Sequence, residues 1–198
     1  MTSTEPIRIG VLGTHSTGKT TLLRRIEMEL RSHGITVART GRLGKRAAAA
    51  GLPKMQHHTA LSTEWIITQG IVDEIDAVTQ GAEVVLIDRA AHDAIAYWHA
   101  ALAFRAETPP RLERERLLAL ASTQLPKYDL LFATELDPRV PVDTSHNYDA
   151  GYRWLVDQHA HRLLANDNIS HQRVTSDPDS QAHAVDVAVQ LCLKEAAL

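Results

Sequence analysis

The stretch IRIGVLGTHSTGKT, from Ile7 to Thr20, decides how the rest of the chain is read. Its first half, Ile7 to Gly13, is a short apolar run closed by glycine, the pattern of a strand buried on both faces. From Gly18 the period changes. Leu22, Leu23, Ile26 and Leu30 recur at helical spacing, and Gly34 supplies a stop after His33. Between strand and helix, Gly13 to Thr20 matches G-x-x-x-x-G-K-[ST] at every required position. Glycines let backbone N–H groups curl around a phosphate without a Cβ in the way, and the helix N-terminus adds partial positive charge. Gly13, Thr14, His15, Ser16, Thr17 and Gly18, with Thr21 just inside the helix, are therefore the expected phosphate cradle. Lys19 is placed to reach the β- and γ-phosphates, and the Thr20 hydroxyl to ligate Mg²⁺. A chance glycine-rich turn accounts for neither the full match nor its strand-to-helix setting.

Outward from that motif, short apolar runs alternate with helical patterns. Strands are expected at Ile35 to Ala38, Glu83 to Asp88, Tyr128 to Ala133 and around His171 to Val174. Leu61, Trp65, Ile66, Val72, Ile75 and Val78 mark a long amphipathic helix ending before Gly81, with Trp65 expected in the core beside Leu61 and Val72 and stacking on a planar acceptor base as the alternative. Further helices are expected from Ala90 to Phe104, after Pro109-Pro110, from Gly151 to Ala165, and from the turn at Thr175–Pro178 to Leu193. Thr40 to His58 reads as loop with a weak helix, and Glu135 to Ala150 as a polar, proline-interrupted loop. Strands alternating with helices argue a parallel α/β sheet covered on both faces. With no repeat and no composition break, residues 1–198 read as one domain.

Composition narrows the partners. The 21 Lys and Arg against 24 Asp and Glu leave a net charge of −3, which argues against a surface built for nucleic-acid phosphates or acidic lipid. Aromatic residues, at 5%, give no stacking platform for single strands. One cysteine, a polar acidic start and no long apolar stretch point to a cytoplasmic chain with no membrane span. Eleven histidines invite a transition-metal site, but no H-x-x-x-H pair supports one, and His15 is expected to face solvent.

A phosphate loop needs an acid at the end of a neighbouring buried strand to hold the metal or its water. Asp88, closing Val84-Val-Leu-Ile87, stands there; a helix cap is the plainer alternative. Arg89 follows, either facing the acceptor or the transferring phosphoryl group, or pairing with a surface carboxylate. His92, four residues after Asp88 on the same helix face, is kept as an acceptor contact, with a surface role as the plainer alternative, while Arg105 and Arg111 are within scope for an acceptor phosphate if the substrate is a monophosphate. The guanine-reading N-K-x-D, the Asp-Glu pair of motor ATPases and the L-S-G-G-Q of transporters are all missing. What survives is a small ATP- and Mg²⁺-dependent kinase acting on a nucleoside- or nucleotide-like small molecule. The rival is a regulatory nucleotide-binding module that signals to a protein partner. A homodimer stays open as the assembly.

The run Ile9 to Leu22, the W-I-x-T-Q helix at Trp65 to Gln69, V-V-L-I-D-R at Val84 to Arg89, Y-D-L-L-F at Tyr128 to Phe132 and D-x-G-x-R at Asp149 to Arg153 together resemble the small P-loop nucleoside/nucleotide kinase-like family. Its members are often labelled AAA family ATPase, and the nicotinamide riboside kinase domain is a related member. The resemblance implies a P-loop NTPase three-layer sandwich with a five-stranded parallel sheet in the order 2-3-1-4-5. It implies that Glu135 to Arg153 forms a lid over ATP, with Arg153 acting on the transferring group. Thr175 to Pro178, hence Asp177 and Pro178, would lie against the adenine. Relatives often carry a glutamate three residues before an arginine after the second strand; here Arg39 precedes Arg42, leaving Arg42 as an acceptor-side candidate and Asp88 as the base.

Overall fold

A computed structural model describes residues 5–140 and 149–196. Among these residues five strands form one sheet: β1 (Ile7–Leu12), β2 (Val37–Thr40), β3 (Val84–Asp88), β4 (Leu130–Thr134) and β5 (Gln172–Val174). The order is β2-β3-β1-β4-β5, every pairing parallel, as the resemblance implied. Among the described residues seven α-helices surround it: α1 (Lys19–Ser32), α2 (Leu43–Ala49), α3 (Ala60–Thr79), α4 (Ala91–Phe104), α5 (Arg111–Ser122), α6 (Ala150–Asn166) and α7 (Pro178–Ala196).

Alternation along β1 assigns the two faces. Ile9 and Val11 pack with Leu22, Ile26 and Leu30 of α1 and Ala188 and Val189 of α7. Leu12 turns the other way, toward Ala96 of α4 and Ala160 and Leu164 of α6. Ligands in open parallel sheets bind beyond the carboxyl ends of the strands where the order reverses. Here those ends are Leu12, Asp88 and Thr134.

Two expectations need correction. The second strand starts at Val37 because Ile35 is used to end α1: its N–H donates to the Leu30 carbonyl at 3.2 Å while Gly34 donates to Arg31 at 3.0 Å. The long helix presents a different face from the one its apolar residues suggested. Leu61, Val72 and Ile75 are exposed, Trp65 is half-buried, and Ser62, Thr63, Ile67, Glu74 and Ala77 are buried instead. Ser62 and Thr63 tolerate this because their hydroxyls donate to the carbonyls of Pro53 (2.6 Å) and Thr59 (2.9 Å). The weak helix between Thr40 and His58 is α2, followed by a short 3₁₀ turn at Met55–His57. Of the expected lid, residues 141–148 lie outside the described residues. Among the described residues no helix is long and apolar enough to cross a membrane.

Candidate active site

β1 delivers the phosphate loop and α1 receives it. Gly13 has φ 136, and a Cβ there would lie 2.3 Å from Thr134 Oγ1, so the loop can leave β1 alongside β4 only with glycine at this point. Three successive carbonyls, those of Thr14, His15 and Ser16, are then engaged by cationic side chains. Lys19 Nζ donates to the Thr14 oxygen, Arg153 Nε to that of His15 (3.1 Å), and Arg153 Nη2 to that of Ser16 (3.0 Å). A trans peptide points its N–H opposite to its C=O. Fixing these oxygens therefore turns the N–H groups of Ser16 and Thr17 the other way, as a phosphate cradle requires. Thr17 Oγ1 donates to the Thr14 oxygen (2.8 Å) and lies 2.6 Å from Thr134 Oγ1, closing the loop on β4.

Arg153 reaches the loop because Asp149 caps α6, accepting the Tyr152 N–H at 2.7 Å and putting Arg153 in the first turn. The arginine is buried, and the Thr14 hydroxyl donates back to its carbonyl at 3.0 Å. It is already docked on the loop.

The loop is also a site of shifted titration. Burial, then the charge of Arg89, lowers Lys19 to about 8, with Asp93 and Asp88 opposing. Burial, then Arg89 and Lys19, lowers His15 to about 3, so its imidazole is neutral. Contrary to the solvent-facing placement expected of it, His15 is buried, its ring centroid 6.4 Å from that of Tyr97 and its Nδ1 3.5 Å from the Tyr97 hydroxyl.

Thr20 Oγ1 donates to Asp88 Oδ2 at 2.8 Å, joining the end of the loop to the end of β3. A hydroxyl and a carboxylate, oxygen donors on exposed or half-buried residues, suit a hard cation that keeps most of its waters, so this pair fits Mg²⁺. The chain after β2 approaches from the other side: a Cβ on Gly41 would be 3.2 Å from Asp88 Cβ. Arg42 follows, exposed, at φ 59, with no ion pair among the described residues.

Arg89 has φ 84 and its guanidinium lies 4.8 Å over the Tyr97 ring, Nη1 donating to Asp93 Oδ2 at 2.8 Å. Burial alone would lower its pKa, but the Tyr97 hydroxyl and Asp93 outweigh that and raise it. His92 is not brought here. α4 begins only at Ala91, after that sharp turn, so Asp88 and His92 do not share a helix face. His92 is buried, and the charge acting on it is that of Asp167, beyond the end of α6. Arg105 is engaged by the carbonyls of Gln56 and His58 and by Glu107, and Arg111 by Glu115.

On the far side of the loop a cavity of about 390 Å³ is lined by Ser16, Thr17, Gly18 and Thr21, with Arg25, Glu135, Asp137, Val140, Arg153, Ser176, Pro178 and Gln181 across from them. Pro178 therefore faces the space beside the loop. Asp177 is exposed next to it, its carbonyl accepting the Gln181 N–H at 3.0 Å. Among the described residues no group of three His, Cys, Asp or Glu is arranged for a metal. Sequence reasoning missed Asp93, Tyr97 and Thr134; only the i, i+4, i+8 spacing of Arg89, Asp93 and Tyr97 could have pointed to the first two.

The chain belongs to the AAA domain family, whose model matches residues 8–178. It is similar in fold to a solved NadR protein in complex with NR, at a TM-score of 0.68 and 21% identity over 93% of this chain and 51% of that one. A second NadR structure, in complex with NAD and AMP-PNP, gives a TM-score of 0.61 and 22% identity over 93% of this chain and 49% of the other. The chain thus spans about half the length of those two. No curated protein matches it.

Proposed function

We propose that this AAA-family chain is an ATP-dependent phosphotransferase that moves the γ-phosphoryl group to a small nucleoside- or nucleotide-like acceptor. The observation that carries the reading is the Thr20–Asp88 contact. It sets a loop hydroxyl and a strand-end carboxylate face to face beside a phosphate cradle already held in shape. Such transfer needs positioning and charge stabilisation more than covalent chemistry from the protein.

In this reading the loop N–H groups and Lys19 bind the triphosphate, and Thr20 and Asp88 hold Mg²⁺, which supplies positive charge to the phosphate oxygens when bound. Asp88 also orients the acceptor hydroxyl and accepts its proton. Arg89 and Arg42 lie on the acceptor side, and Arg153 keeps the loop in its binding shape. The cavity walled by Thr21 and Pro178 receives the base of the nucleotide. The NR bound by one NadR structure and the AMP-PNP bound by the other support looking for both an acceptor and ATP here.

The test is a screen for ADP release from ATP against nucleosides, nucleoside monophosphates and nicotinamide riboside. At least one acceptor is expected to stimulate release, and Lys19→Ala to abolish it while leaving the fold intact. ADP release indifferent to every acceptor would overturn the transferase reading and favour the nucleotide-binding module.

A further inference from the structure

Asp93 has no role in the chemistry above, yet it is 1% exposed and both its oxygens are committed. Oδ1 accepts the Gly13 N–H at 2.9 Å, and Oδ2 accepts Arg89 Nη1 at 2.8 Å. An acid in the first turn of a helix ordinarily serves that helix's own free amides and dipole. Here one oxygen reaches instead across the sheet to the first residue of the phosphate loop, and the other to the residue after Asp88.

Arg89 is held in a left-handed backbone conformation, costly for any residue with a Cβ, and such strain concentrates where side chains are aimed for function. The conformation follows from a turn in which the N–H groups of Arg89 (3.2 Å) and Ala90 (2.9 Å) both donate to the Val11 carbonyl. The Arg89 side chain is 31% exposed, and its guanidinium lies between Asp93 and the face of Tyr97. Because the same carboxylate accepts from both Gly13 and Arg89, the guanidinium stands one carboxylate away from the entry of the phosphate loop. An untethered arginine on a strained turn has many rotamers; one fixed at Nη1 and across its face has few.

We infer that Asp93 is a positioning residue that locks the Arg89 guanidinium to the entry of the phosphate loop, so that the two act as one rigid frame around the transferring phosphoryl group. This rests on the phosphotransferase reading and deepens it. Asp93 touches neither phosphate nor acceptor; it acts through Arg89.

The experiment is a double-mutant cycle on the full chain with Asp93→Asn, Arg89→Ala and both together. It reads the kcat of ADP release from MgATP with water as acceptor, and AMP-PNP affinity by calorimetry. Asparagine keeps an oxygen for the Gly13 N–H but presents Arg89 with no charge. Asp93→Asn should lower kcat about 10- to 100-fold, the scale of a displaced catalytic group. AMP-PNP affinity should stay within about 3-fold, and in the Arg89→Ala background the same change should cost less than about 3-fold more. If Asp93→Asn does not fold, Asp93→Ser, which also offers Gly13 an oxygen, carries the cycle. An equal loss in both backgrounds makes Asp93 a support for the loop alone and overturns the inference, as does a wild-type kcat. A wild-type chain that neither binds AMP-PNP nor releases ADP overturns the phosphotransferase reading itself, and this inference with it.

Discussion

Arg153→Ala removes the two donors that hold the His15 and Ser16 carbonyls, at 3.1 and 3.0 Å, from a side chain only 5% exposed. A hydrogen bond from a charged donor contributes about 1.5–3 kcal/mol. In the variant, water enters the vacated space and recovers part of that, so the net cost of holding the loop in its phosphate-binding shape comes to about 2–3 kcal/mol. Most of it appears as lost ground-state affinity, because the contact exists before any nucleotide arrives. At about 1.4 kcal/mol per decade, AMP-PNP binding should weaken about 30- to 150-fold. The Thr14 hydroxyl still donates to the residue 153 carbonyl, so α6 stays pinned to the loop and the fold survives. Arg153→Lys should recover little, because one ammonium cannot reproduce a planar fork that serves two carbonyls. Calorimetric titration beside a thermal melt makes the measurement. Affinity within about 3-fold of wild type, with kcat down about 10²–10³-fold, would refute the loop-shaping argument and assign Arg153 to charge that develops only during transfer.

Asp88→Asn should lower Mg²⁺-dependent turnover about 10²-fold or more and shift the Mg²⁺ titration to higher concentration, since the Thr20–Asp88 pair loses its charge; an unchanged Mg²⁺ titration would reduce Asp88 to a structural acid. Gly13→Ala should abolish AMP-PNP binding, because the new Cβ would meet Thr134 Oγ1 at 2.3 Å and its carbonyl at 2.8 Å; normal binding would mean that the loop leaves β1 by another path. Burial lowers His15 to about 3 and His58, His92 and His99 to about 4, against an ordinary value of 6.5. The unfolded chain therefore takes up protons below that pH which the folded chain refuses. Stability should be full above 6.5 and fall toward pH 4 by up to about 1.4 kcal/mol per unit for each histidine. Burial raises Glu74 to about 7, which works the opposite way and offsets one of the four. Urea midpoints from pH 7.5 down to about 4.5 check this, and a flat profile would show that these imidazoles are not held neutral.

The parallel sheet and the place of the phosphate loop were legible because one stretch passes from a short apolar run to a helical period around a complete motif, and the strand order because the motifs together resemble a known family. What was not legible had physical causes. On α3 the apolar residues recur at helical spacing, but Leu61 and Ile75 stay 64% and 52% exposed while Ser62, Thr63 and Glu74 go inside. Periodicity shows that a helix has two faces; which one is buried depends on whether the polar residues find partners, and Ser62 finds the Pro53 carbonyl. Ile35 reads as strand by composition, yet its N–H completes the cap of α1. At the site, the motif names the groups that meet a phosphate but not those that shape the loop. Asp93 lies 80 residues from Gly13, Thr134 lies 117 from Thr17, and Arg153 lies 138 from His15. Asp93 alone reads as an ordinary helix-dipole acid, and Arg153 is singled out only by the D-x-G-x-R resemblance, as acting on the transferring group, because a local pattern carries no information about such distant partners. The loop's competence therefore resides in residues outside its motif. A chain with an intact Gly13–Thr20 run but no Asp93 or Arg153 should bind nucleotide weakly and transfer slowly, although its motif is complete.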